Sequence, residues 1–141
     1  MNFLELNLRA AGLLLTVLGL AHVWFPRRFR WKEELAAISP LTRQIHFVHN
    51  AYIGLTVTMN GLLCLLFAPD LIEHSHLAIV ILLGMSFFWG SRLIVQCMIY
   101  DPSHWRGKPF ETRVHVLFIF LWSYLTAVPV WALLGQSCQP H

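Results

Sequence analysis

Residues 41–67 read LTRQIHFVHNAYIGLTVTMNGLLCLLF. A helix of this length rises about 1.5 Å per residue and spans about 40 Å, enough to cross the hydrocarbon core of a bilayer. Its second half is nearly all apolar, whereas its first half carries the polar or amphipathic side chains Arg43, Gln44, His46, His49, Asn50 and Tyr52. The segment predicts a transmembrane helix whose first half meets polar groups of other helices.

The composition is that of a membrane protein. Hydrophobic residues make up 57% of the 141 residues and charged residues only 12%, whereas a soluble domain has about 25% charged residues. The mean hydropathy is +0.59. No linker rich in Pro, Gly or Ser divides the chain, so the sequence predicts a single transmembrane domain over residues 1–141.

Apolar segments of membrane length recur along the chain. We predict transmembrane spans over approximately residues 4–25, 41–67, 77–100 and 110–134. Short connectors between them favour an all-α, up-down-up-down four-helix bundle. No small-residue cleavage site follows the first span, so we predict a retained helix rather than a cleaved signal peptide.

Two local signals refine the helices. Gly12, Thr16 and Gly19 form a stripe of small residues along the first span, which allows a neighbouring helix to approach closely. Ser39 followed by Pro40 is typical of a helix start, with Ser39 as N-cap and Pro40 at the first helical position. Both signals predict structure rather than chemistry.

Basic residues cluster between the spans. Most of the ten Lys and Arg residues belong to or flank the connectors 26–41 and 101–110: Arg27, Arg28, Arg30, Lys32, Arg43, Arg106, Lys108 and Arg113. This asymmetry predicts that both connectors are cytoplasmic and that both termini lie outside. Basic residues beside a span also favour anionic lipid headgroups. The positive charge therefore indicates the lipid bilayer as partner and does not indicate nucleic acid.

Polar side chains of all four predicted spans fall at a similar depth. Helix rise places them about 6 to 12 Å inside the predicted cytoplasmic ends of their helices. Ionisable groups inside a membrane are expected to face the bundle interior, a partner or the interface. The candidate binding-site residues are His22, His46, His49, Arg92, Gln96 and His115.

The histidines allow a metal site. His46 and His49 are spaced so that both can face one metal ion, and His22 and His115 could complete four nitrogen ligands. No HExxH or CxxC motif is present. The alternative is that these histidines form hydrogen bonds between packed helices.

A haem or another tetrapyrrole is a second possible cofactor. His49 could be opposed across the bundle by His115 or His22, with Arg92 or Arg113 paired to propionates. The aromatic walls would be Trp89, Phe118 and Trp122.

Arg92 suggests a third kind of site. It is a permanent cation about two helical turns inside the predicted third span. A lipid phosphate, a propionate or a substrate carboxylate could pair with it. The alternative is that its long side chain snorkels to the headgroups or reaches Asp101.

Parts of the chain resemble known bacterial membrane proteins. The first span, GLLLTVLGLAHVWFP over residues 12–26, and the four-span layout are similar to the small DoxX-like class. The segments RQIHFVHNAYIGL and FFWGSRLIVQ look like parts of uncharacterised bacterial four-span proteins. The resemblance implies a multi-pass protein of the bacterial inner membrane and transfers no site residue.

These observations lead to three functional hypotheses. The first is a non-catalytic accessory or scaffold subunit that packs with other membrane subunits or with itself. The second is a redox subunit that binds haem or a metal through its histidines. The third is an enzyme or transporter for a small amphipathic anion, with Arg92 as anchor and a histidine as proton carrier.

Overall fold

The computed structural model describes residues 2–101 and 107–137, and every regular element in those ranges is a helix. The helices are α1 Phe3–Ala21, α2 Phe25–Arg28, α3 Trp31–Glu34, α4 Pro40–Leu66, α5 Ala68–Ile72, α6 His76–Met98 and α7 Pro109–Ser137. Three helices of the described chain, α1, α6 and α7, are long and apolar enough to cross a membrane. The prediction of an all-helical membrane protein is therefore confirmed.

The second predicted span folds as one continuous helix of 27 residues, α4. It is not among the three helices that are apolar enough to cross a membrane, because its first half carries Arg43, Gln44, His46 and His49. At about 40 Å, α4 exceeds a hydrocarbon core of about 30 Å by about 10 Å. Its polar first turns can therefore lie in the headgroup region. A four-span bundle stays a prediction.

The start of α4 follows the predicted capping pattern. The Ser39 side chain accepts a hydrogen bond from the backbone N–H of Thr42 at 3.2 Å, and Pro40 is the first helical residue. This bond satisfies one of the N–H groups that a helix start leaves without a partner. The prediction of a Ser-Pro helix start is confirmed.

The end of the first span differs from the prediction. Helix α1 ends at Ala21 rather than near residue 25, and hydrogen-bonded turns lead into α2. Pro26 lies in the first turn of α2, where its missing N–H costs no hydrogen bond. The connector to α4 is therefore built from two short helices joined at Arg30, whose backbone is left-handed with φ 49°.

The chain divides into two compact units, Arg9–Phe67 and Met1–Leu8 together with Ala68–His141. We call them the α1–α4 unit and the α6–α7 unit.

In the α1–α4 unit, α1 and α4 meet backbone to backbone. A Cβ added at Gly12 would lie 2.7 Å from the carbonyl oxygen of Gly61, and a Cβ added at Gly19 would lie 2.8 Å from that of Gly54. Gly12 precedes Gly19 in α1, whereas Gly61, the partner of Gly12, follows Gly54 in α4. The two helices are therefore antiparallel. Arg9 adds a hydrogen bond from Nη1 to the carbonyl oxygen of Leu65 at 2.8 Å. The predicted close approach at the small-residue stripe is confirmed.

In the α6–α7 unit, the two long helices pack along apolar faces. Helix α6 buries a stripe that recurs every three or four residues, and α7 presents a matching stripe. The buried residues include Leu82, Met85 and Trp89 on α6, and Trp122, Leu125, Val128 and Ala132 on α7. Near the far end of α7, the Gln136 amide donates to the carbonyl oxygen of Leu71 at 2.7 Å. Helix α7 runs to Ser137, past residue 134, where we predicted the fourth span to end.

We expect Gly61→Ala to lower the free energy of unfolding by about 1–3 kcal/mol, because overpacking forces neighbours to shift. The added Cβ would lie 2.5 Å from the Thr16 backbone nitrogen and 2.8 Å from the Gly12 carbonyl oxygen. Unfolding by sodium dodecyl sulfate in mixed micelles, followed by circular dichroism, measures this change.

The matched control is Gly84→Ala. No heavy atom lies within 4 Å of a Cβ added at Gly84, and alanine favours a helix interior over glycine by about 1 kcal/mol. The control should be neutral or stabilising. An equal loss in both variants would contradict the close approach of α1 and α4.

Candidate functional site

Three of the six predicted site residues gather around one tryptophan in the α6–α7 unit. Arg92 and Gln96 are one turn apart on α6, and His115 and Trp122 are two turns apart on α7. Because side chains one or two turns apart share a face of a helix, these residues form a layer between the two helices. We call this cluster the Trp122 layer: Trp89, Arg92, Gln96, His115, Phe118 and Trp122.

A chain of hydrogen bonds crosses the Trp122 layer. The Trp122 indole Nε1 donates to Oε1 of Gln96 at 3.2 Å, and Nε2 of Gln96 lies 2.8 Å from Nδ1 of His115. An indole N–H can only donate, so it directs the amide oxygen of Gln96 toward Trp122 and the amide nitrogen toward His115. An amide nitrogen also only donates. Nδ1 of His115 must therefore accept, and the neutral ring carries its proton on Nε2.

Aromatic rings surround the Trp122 indole. Trp89 stacks on it at 5.5 Å between ring centroids with an interplanar angle of 9°, and Phe118 stacks at 5.4 Å and 20°. Trp89 and Trp122 are almost fully buried, at 1% and 5% exposure. Packing therefore fixes the direction of the Trp122 N–H, and with it the orientation of the Gln96 amide.

Arg92 belongs to the same layer through its ring contacts. Its guanidinium carbon lies 4.9 Å from the Trp122 ring centroid and 5.7 Å from that of Tyr100. Cation–π contacts of this kind contribute about 0.5–2 kcal/mol, depending on how far the cation is removed from water. The guanidinium is thus held against aromatic rings about two turns before the C-terminal end of α6.

Two donors in the Trp122 layer lack acceptors. Within the described residues, Nε1 of Trp89 and Nη1 of Arg92 are buried and have no hydrogen-bond partner. Leaving a buried donor unpaired costs about 1–3 kcal/mol, and more for a charged group. The layer therefore favours an added oxygen acceptor such as a carboxylate, a phosphate or water.

The other three predicted site residues lie in the α1–α4 unit and make different contacts. Nδ1 of His22 donates to the carbonyl oxygen of Leu18 at 2.8 Å, and the side chain of Asn50 donates to the backbone oxygen of His22 at 2.9 Å. His46 packs on Trp31 with ring centroids 4.4 Å apart. His46 and His49 are both exposed. These contacts anchor the connector and the start of α4.

The described residues provide no preformed metal cluster. In ranges 2–101 and 107–137, no group of three or more His, Cys, Asp or Glu side chains is arranged to hold a metal ion. The proposed metal and tetrapyrrole sites through His22, His46, His49 and His115 therefore stay predictions that spacing alone supports.

Sequence reasoning missed two contributions to these contacts. Trp122 was expected only as an aromatic wall, whereas its N–H orients Gln96. Asn50 was noted as polar but not as a residue that joins α4 to the turn after α1. Nothing in the sequence pattern reveals such partner choices, although a lone polar residue on a glycine-containing face was a usable signal for Asn50.

Comparison with known proteins adds no family. No protein-family model matches the chain, and no curated protein or solved structure matches it.

We expect Gln96→Met to lower the free energy of unfolding by about 1–3 kcal/mol, because it leaves the Trp122 N–H without its acceptor and removes the donor to His115. Methionine keeps a similar shape, so little of the loss comes from packing. Gln44→Met on the exposed side of α4 is the matched control and should be neutral. Unfolding of both variants in mixed micelles measures the difference, and equal stabilities would contradict a structural role for Gln96.

Proposed function

We propose that this chain is a small multi-pass protein of the bacterial inner membrane that acts as a non-catalytic accessory or scaffold subunit of a membrane assembly. One observation carries the proposal: the polar side chains of the Trp122 layer bond to one another across α6 and α7. In an apolar environment, such hydrogen bonds between helices favour specific packing. A packing role therefore accounts for Gln96 and His115 without a reaction.

The proposed arrangement has four spans, with the connectors 26–41 and 101–110 on the cytoplasmic side. The clustering of Lys and Arg beside the connectors supports this orientation. Reporter fusions after Glu34 and after Glu73 would then report opposite sides of the membrane.

The proposed contact with other subunits involves the first half of α4. Gln44, His46 and His49 are exposed there, and polar side chains near a membrane commonly bond to a neighbouring helix. This surface can receive another membrane subunit or a second copy of the chain.

We expect a photo-crosslinking residue placed at position 49 to form one defined adduct in native membranes. Replacement at Met59, which is exposed at 60% on the apolar part of α4, is the matched control and should contact lipid alone. A denaturing gel separates the adduct from the 16.3 kDa chain, and mass spectrometry identifies it. No adduct at position 49, a Soret absorption band or a stoichiometric metal would contradict the accessory role.

A second candidate function is the binding of a small amphipathic anion, and the unpaired donors of Trp89 and Arg92 favour it. Both residues pack against Trp122, so an oxyanion in the Trp122 layer would supply an acceptor where the described residues offer none. Arg92 would supply the charge, and Trp89 would add a neutral donor.

We expect Trp89→Phe to reduce the amount of anionic small molecule that copurifies with the protein, because phenylalanine keeps the stacked ring and removes only the N–H. Trp24→Phe, at a position that is 57% exposed, is the matched control. Extraction followed by mass spectrometry measures the retained molecule. If Trp89→Phe retains the same amount of anion and unfolds at a higher temperature, the N–H of Trp89 binds no anion and its burial without a partner only destabilises the protein.

A further inference from the structure

A cleft lined by basic side chains lies in the connector between α1 and α4. It has a volume of about 480 Å³, and its lining includes Arg27, Arg30, Lys32 and Phe47. An adjoining cleft of about 320 Å³ shares Lys32 and Phe47 and adds Arg43. We call the two together the basic cleft.

The charge of the basic cleft is strongly positive. Its lining includes four cations and one carboxylate, that of Glu33. Glu33 forms an ion pair with Arg30, so Arg27, Lys32 and Arg43 supply the excess positive charge. Cations grouped in this way beside a transmembrane helix attract anionic headgroups.

An apolar groove continues from the basic cleft. It has a volume of about 470 Å³ and runs along α1 and α4, with Gly19, Leu20, Ala51, Gly54 and Leu55 in its lining. Three polar side chains in the lining have partners within the α1–α4 unit, and one of them is His22, whose Nδ1 donates to the carbonyl oxygen of Leu18. Asn50 donates to the backbone of His22, and Thr58 donates to the carbonyl oxygen of Gly54. The groove therefore favours a hydrocarbon chain.

The cleft and the groove are parts of one surface. Val23, Pro26 and Phe47 line both of them. Each volume lies within the range of about 300–1,000 Å³ that is typical of small-ligand sites. A positively charged compartment that opens into an apolar one matches an amphiphile with an anionic head.

The backbone of the connector also indicates a binding site. Arg30 is the one residue other than glycine with a positive φ in the described ranges. Left-handed backbone is unfavourable for a side chain larger than glycine, and it persists where the surrounding structure holds it, often at binding sites. Here it joins α2 to α3, and residues on both sides of the joint line the basic cleft.

We propose that the α1–α4 unit binds one anionic phospholipid, with the headgroup phosphate in the basic cleft and one acyl chain in the apolar groove. The proposal does not depend on the accessory role of the protein. Phosphate is a strong acceptor for Arg and Lys donors, and the acyl chain gains the burial of apolar surface. An acidic segment of a partner protein would use the cations alone and would leave the groove empty.

The test is native mass spectrometry of the full chain in an uncharged detergent, titrated with phosphatidylglycerol or phosphatidylcholine. One phosphatidylglycerol should bind in clear preference to phosphatidylcholine. The double variant Arg27→Gln/Lys32→Gln should bind it about 25-fold more weakly, since each cation contributes about fivefold. The double variant Arg28→Gln/Lys108→Gln removes the same charge outside the cleft and should bind as the wild type does.

A second pair of variants tests the groove. Ala51→Trp fills the groove from an exposed position and should weaken phosphatidylglycerol binding about tenfold through lost chain burial. Met59→Trp, also exposed on α4 but outside the groove, should not. Circular dichroism verifies that each variant keeps its helix content.

Three results would overturn the proposal. Equal binding by the two charge variants would mean that the basic cleft is not the site. Equal binding by Ala51→Trp and Met59→Trp would mean that an anion is held by charge alone, as with an acidic segment. Competition by inorganic phosphate at the same concentration as the lipid would identify free phosphate rather than a phospholipid as the occupant.

Discussion

The backbone contact between α1 and α4 determines most of what the α1–α4 unit presents to its surroundings. Gly12 faces Gly61 and Gly19 faces Gly54 at distances that leave no room for a side chain. Without side chains at these positions, dispersion contacts and polar contacts between backbones replace the usual packing. The same glycines shape the apolar groove, because Gly19 and Gly54 are part of its lining. A small-residue stripe thus serves helix packing and leaves a surface for a hydrocarbon chain.

The α6–α7 unit uses a different kind of constraint. Bulky rings rather than glycines separate its helices, and the stacked Trp89 and Trp122 hold one N–H in a fixed direction. That direction decides the orientation of the Gln96 amide, which in turn decides the proton position on His115. While this hydrogen bond is kept, His115 has a structural role in the packing of α6 against α7. The donors of Trp89 and Arg92 are the groups of the layer that have no hydrogen-bond partner among the described residues, and a bound water, an ion or a functional role commonly explains such groups.

The two units therefore suggest separate tasks within one small protein. The α6–α7 unit supplies two of the three helices that are apolar enough to span a membrane, together with an internal polar layer. The α1–α4 unit supplies a charged connector and a helix with an exposed polar end. If the connectors are cytoplasmic, the basic cleft lies at the leaflet where anionic headgroups concentrate in many membranes. An accessory subunit that binds a lipid would use the packed helices of the α6–α7 unit and the basic cleft of the α1–α4 unit. Neither use requires catalysis.

The sequence by itself determined the long helices, because membrane-length hydropathy, a Ser-Pro cap and a small-residue stripe depend only on neighbouring residues. The four-residue spacing of Arg92 and Gln96 also puts them on one face of α6, since helical periodicity is local. The sequence did not determine that α1 ends at Ala21, that His46 and His49 are exposed, or that Trp122 orients Gln96. The rotation of a helix about its axis and the partner of a polar group depend on the packing of distant segments. Only the tertiary structure decided these features, as it decided the joining of the basic cleft to the apolar groove.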